Sequence, residues 1–154
     1  MRIIAILSTL FVSVISSHAR IGETKEQCTA RYGPKIIDQS KDPDVLVFAK
    51  SGFRVVCYFH DNKAESLLIE KIQKSSFGKP EKMSDTEIQT ILGSNGDGWV
   101  IENEKNSSAY WRSIADVIAT YDTTRNNLFI GTKKGQERRR EEKKSAEQKN
   151  LKGF

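Results

Sequence analysis

The sequence predicts an α+β domain, an antiparallel sheet with two short helices on one face. Three observations lead there. Two segments carry complete helix punctuation, one opening at Thr24 and closing at Gly33-Pro34, the other opening at Ser84 and closing at Gly93. After each helix come stretches rich in β-branched and aromatic residues, with an imperfect alternation of apolar and polar positions. Those stretches are broken by short turn signals, among them Ser51-Gly52 and Asp61-Asn62.

In the first helix Thr24 caps the start, with Gln27 three residues later as in a capping box, and Cys28 and Tyr32 share one face. Residues 44–71 then read as three strands joined by two-residue turns, whose residues tolerate positive φ. Such turns set the register. Phe48 should oppose Val55 and Leu46 oppose Cys57, while Phe59, Cys57 and Val55 should oppose Ala64, Ser66 and Leu68. One face then collects Leu46, Phe48, Phe53, Val55, Cys57, Phe59 and Leu68. The other takes Arg54, Tyr58, His60, Lys63 and Glu65 together with Val47, Val56, Leu67 and Ile69.

The second helix has Ser84 and Glu87 as its capping box, Met83 and Ile88 as a staple, and Gly93 as its stop. Strand segments follow at 99–102, 109–112, 116–121 and 128–132. An offset of sixty sets Thr24 on Ser84, Gln27 on Glu87 and Gly33 on Gly93, so a tandem α-β-β-β arrangement is an expectation to test. Residues 133–154 hold nine Lys or Arg and four Glu, a difference equal to the whole net charge of +5. That stretch has no apolar stripe and reads as a charged tail, either a frayed solvated helix or a disordered segment.

The chain opens with Met1-Arg2, an apolar run of about a dozen residues and the small-x-small exit Ser17-His18-Ala19, which reads as a secretory signal peptide. Cleavage between Ala19 and Arg20 makes residues 20–132 a single domain with the tail behind it. The run is too short for a spanning helix, so no stable membrane anchor is expected. Residues 20–132 carry nearly balanced charge, which leaves the basic excess to the tail and argues against a nucleic-acid partner.

Few residues invite chemistry. His60 is the one histidine after Ala19, so no multi-histidine metal site can form, and neither a phosphate-binding loop nor a dinucleotide fingerprint occurs. No cofactor is implied. Asp97 sits in the glycine-rich loop Ser94–Gly98, which lacks the alternating acids of a calcium loop. Cys57 and His60 stand three apart on a strand and point to opposite faces. Cys28 and Cys57 meet if the first helix covers the apolar sheet face, and read either as a disulfide or as two buried free thiols. Trp99, Tyr110 and Trp111 are candidates for an aromatic binding patch, against the alternative that they complete the core.

The stretch from Ile21 to Gly33, Ile-Gly-Glu-Thr-Lys-Glu-Gln-Cys-Thr-Ala-Arg-Tyr-Gly, resembles the opening of a group of small exported bacterial proteins of unknown function, with the pattern G-E-T-x-x-Q-C-x-x-R-Y-G. Met83–Ile88 and Ala119–Asp122 are also similar to that group. The resemblance implies an exported or envelope protein and supplies no activity or catalytic residue. The expectation is a non-catalytic periplasmic or secreted interaction module, with another envelope protein as partner and the oligomeric state left open. The alternatives are a hydrolase-type enzyme built on His60, Tyr58 and Glu65, or a structural envelope protein.

Overall fold

Each half of the chain begins with a helix whose first turn is fully capped. A computed structural model describes residues 21–36, 42–105, 108–113 and 116–151, with the side chains of 103–105, 108–110, 112, 146 and 149–151 left outside the description. Residues 1–19, read above as a signal peptide, lie outside it as well. In α1 (Lys25–Tyr32) the Thr24 hydroxyl accepts from the Gln27 N–H at 3.3 Å, and Gln27 Oε1 accepts from the Thr24 N–H at 2.8 Å. Gly33, at φ +91°, closes the helix by donating its N–H to the Thr29 carbonyl. In α2 (Asp85–Gly93) Ser84 and Glu87 repeat the same reciprocal bonds. The Ser84 N–H chiefly, with Lys71 adding, holds the Glu87 carboxyl below the usual carboxylate range. Gly93 is the last residue of the helix, and the capping Ser94 turns its N–H back to the Thr90 carbonyl.

Seven antiparallel strands form one sheet in the order β1-β2-β3-β7-β6-β5-β4. They are β1 (Val45–Lys50), β2 (Phe53–His60), β3 (Lys63–Lys71), β4 (Val100–Lys105), β5 (Ser108–Arg112), β6 (Val117–Asp122) and β7 (Asn127–Thr132). Each half is a meander, and the two join where β3 pairs with β7. The second half has four strands, one more than an α-β-β-β unit.

Ser51 and Gly52 both take positive φ, as do Asp61 and Asn62, so both early turns are two-residue turns of the kind that matches strand twist. Phe48 opposes Val55, Leu46 opposes Cys57 and Phe59 opposes Ala64, as expected. Beyond that point the register slips by one. Tyr58 pairs with Ser66 and Phe59 with Ala64, which leaves Glu65 as the extra residue of a bulge. Cys57 therefore opposes Leu67, not Ser66, and Val55 opposes Ile69, not Leu68. The correction moves Leu67 and Ile69 into the core and turns Leu68 to the other face, half-buried.

Both helices cover the face that bears Phe48, Val55, Cys57, Leu67, Ile69, Leu128, Ile130 and Ala119, all buried. Cys28 and Tyr32 of α1 and Ile88 and Leu92 of α2 complete this layer. Met83, just before the Ser84 cap, is buried with Ile88, and its N–H donates to the Tyr121 hydroxyl at 3.0 Å. Burial raises the pKa of that phenol.

The second face is not left to solvent. A third helix, α3 (Lys133–Leu151), leaves β7 directly and turns back over β3 and β7. The reading of residues 133–154 as a solvated appendage is corrected for its first turns. Gly135, Arg138, Arg139 and Glu142 recur at i, i+3, i+4 and i+7, one side of a helix. The contact is made by arginine on aromatic ring, not by an apolar stripe, which is why hydropathy did not mark it.

A polar pocket beneath the third helix

The bulge in β3 and the start of α3 together build the pocket. Arg139 lays its guanidinium over the Tyr58 ring, 3.6 Å from the centroid, with the Phe129 ring at 5.5 Å. Such a stack uses the planar, weakly hydrated guanidinium, which lysine could not imitate. The same guanidinium reaches the fully buried Ser66 hydroxyl at 3.5 Å. One residue earlier, Arg138 Nη2 meets the carboxylate of the bulged Glu65 at 3.4 Å. Its other terminal nitrogen, Nη1, is buried with no hydrogen-bond partner.

These groups line a partly open cavity of about 180 Å³, together with Asp42, Asp44, His60 and Glu142. Asp44 is tied down by Lys25 at 2.8 Å, and the Phe59 N–H donates to the Asp44 carbonyl. His60 Nε2 lies 3.3 Å from Asp61 at the mouth. Tyr58, His60 and Glu65, the three residues of the enzyme alternative, thus come together in one concavity. Within it Ser66 faces Arg139 and Glu65 faces Arg138.

Two of the three aromatic candidates, Trp99 and Trp111, are described, and neither is fully exposed. Trp111 is 6% exposed and belongs to the core, because β5 turns it to the helix-covered face. Trp99 is half-buried, and its indole N–H donates to the carbonyls of Leu92 and Gly96, clamping the end of α2. The side chain of Tyr110 lies outside the described residues. Next to Trp99, Val100 and Ile101 are 64% and 55% exposed at the start of β4. β4 is an edge strand bulged at Glu102, and such bulges discourage edge-to-edge pairing.

Cys28 and Cys57 are neighbours in the core, as expected if α1 covers the sheet, and both are free thiols with no exposed surface. A hydrogen bond from Cys57 holds the Cys28 thiol below the ordinary thiol range, against burial and the nearby Glu23 carboxylate. Glu23 is held in turn by Arg31, whose Nε donates to it at 2.9 Å and 3.0 Å.

Comparison with protein-family models, curated proteins and solved structures finds no match to this chain. Sequence reasoning named Tyr58, His60 and Glu65 but missed Arg138 and Arg139. The signal was the spacing of Gly135, Arg138, Arg139 and Glu142 on one helix side.

Proposed function

We propose that the chain is a non-catalytic recognition module, exported to the bacterial envelope, whose pocket beneath α3 holds a carboxylate carried by a partner. The observation that carries this reading is the buried, unpartnered Nη1 of Arg138. A buried donor without an acceptor is costly, and a ligand oxygen placed there would satisfy it. Arginine suits a carboxylate because its fork matches two oxygens in one plane. The cavity is smaller than those that enclose whole small-molecule ligands, about 300 Å³ and upward. It suits a single side chain or a chain end of a larger partner. Asp42 and Glu142 at the rim favour a group that also offers donors, such as the amide next to a carboxylate.

N-acetylglycine supplies that combination, and its amide is the uncharged control. At about ten times the dissociation constant, mass action should raise the melting temperature by a few degrees. The amide should give no shift, and Arg138→Gln should abolish the response to the acid. Equal shifts for acid and amide, or an unchanged response in the variant, would sink the proposal.

The exported compartment carries a second expectation. In oxidising surroundings Cys28 and Cys57 should exchange with a disulfide-bearing oxidant, forming one S–S bond as the oxidant's disulfide is reduced to two thiols. The bridge would close a loop of about 30 residues and stabilise the fold by about 3 kcal/mol. Intact mass of the exported protein should lie two hydrogens below the dithiol value. A dithiol mass from exported, unreduced material refutes the bridge.

A further inference from the structure

The segment between β3 and α2 contains a second, smaller hairpin. The Ser75 N–H donates to the Lys79 carbonyl at 2.7 Å and the Gly78 N–H to the Ser75 carbonyl at 2.9 Å. Lys74 bridges to Pro80, and the Glu81 N–H donates to Gln73. This is a three-residue loop whose last position, Gly78 at φ +74°, needs the left-handed region that glycine supplies. The hairpin is also tied to the β6–β7 turn. Asn126 donates to the Pro80 carbonyl at 2.8 Å, and the Lys79 ammonium reaches the Thr124 carbonyl at 3.4 Å.

At the tip of this braced loop stands Phe77, 90% exposed. A phenylalanine on a slack loop can fold back onto the protein, whereas this one is held outward by its own turn. The surrounding charge is mostly positive. Lys74, Lys79 and Lys82 stand on the hairpin against the single Glu81, while Lys71 is paired with Glu87 and Arg125 with Asp122. At the hairpin base Ile72 is half exposed and, with Phe53, floors an open depression of about 440 Å³.

We infer that this end of the molecule docks on an anionic lipid surface, with Phe77 entering the headgroup layer and the lysines facing lipid phosphates. A projecting aromatic on a lysine-rich hairpin suits a fluid, negatively charged interface, which needs no shape complementarity. A protein partner would instead need a cup to receive the ring, together with acidic groups at matching positions. The contact is peripheral: among the described residues no helix is long and apolar enough to cross a membrane. It is independent of the pocket, which lies at the other end of β2.

Co-sedimentation of the full mature chain with phosphatidylglycerol–phosphatidylcholine vesicles, against pure phosphatidylcholine, tests the inference. Binding is expected to the anionic vesicles only. It should weaken as salt rises from about 0.1 to 1 M, where the screening length drops from about 10 to about 3 Å. Phe77→Ala should bind about tenfold more weakly while keeping its fold, since so little of the ring is buried. Phe77→Trp should show an emission shift to the blue on adding anionic vesicles. No binding to anionic vesicles overturns the inference and leaves the tip to a protein partner. Equal binding by wild type and Phe77→Ala, with no shift in Phe77→Trp, also overturns it and assigns the affinity to the basic α3.

Discussion

Phe48→Ala is expected to cost about 3–5 kcal/mol, a large part of the stability of a domain this size. Phe48 is fully buried and stacks on Tyr32 of α1, with ring centroids 5.3 Å apart and planes inclined by 25°. It also opposes Val55 across β1 and β2. Truncation opens a void between helix and sheet that neither neighbour can fill. α1 has eight residues, too few to persist in water unaided, so its order depends on this packing. The urea midpoint should fall sharply, and amide exchange in Lys25–Tyr32 should accelerate beyond the global change. Phe48→Leu, which keeps most of the volume, should lose much less. If Phe48→Ala unfolds within 1 kcal/mol of wild type, the ring is not what holds α1 down.

Gly131→Ala should be destabilising by about 1–3 kcal/mol although it adds one methyl group. A Cβ at Gly131 would lie 2.8 Å from Ser66 Cβ, 2.9 Å from Phe129 Cζ and 3.1 Å from the Glu65 carbonyl oxygen. Those atoms belong to the bulged stretch of β3 and to the ring beneath Arg139, so relief means spreading the β3–β7 pair or lifting α3. The loss should therefore appear in two places, the denaturation midpoint and faster exchange in the first turns of α3. An alanine variant as stable as wild type, with α3 protection intact, would contradict this account of how the helix sits.

What the sequence made legible was local chemistry. Thr24 with Gln27, Ser84 with Glu87, Ser51-Gly52 and Asp61-Asn62 each act within a few residues, and each sits where expected. The bulge at Glu65 escaped because an extra residue in a strand has no signature of its own; only the pairing of Leu67 and Ile69 with β2 and β7 selects it. Gly93 ends α2 as expected, while the N–H groups of Ser94 and Asn95 satisfy its last carbonyls. Tyr58, His60 and Glu65 follow from the turn at Asp61-Asn62, which sets them near one end of the sheet. Arg138 and Arg139 reach them only because α3 folds back over that end, a long-range event that depends on the clearance at Gly131 and Gly135. Trp111 was ambiguous for a similar reason, since the faces of β5 are distinguished only by where the helices lie.

The seam between β3 and β7 bears on how the molecule assembles. Ser66 pairs with Gly131 and Leu67 with Ile130, with α2 and β4–β6 lying between them in sequence. The middle of the sheet is thus its most distant pairing in sequence, the kind that closes slowly. Until it closes, an N-terminal half already folded on α1 presents the bare edge of β3, with Leu67 and Ile69 beside it, to any other extended chain. A protein delivered as an unfolded thread would pass through that exposed interval each time it folds, and the speed with which β7 arrives decides how long it lasts.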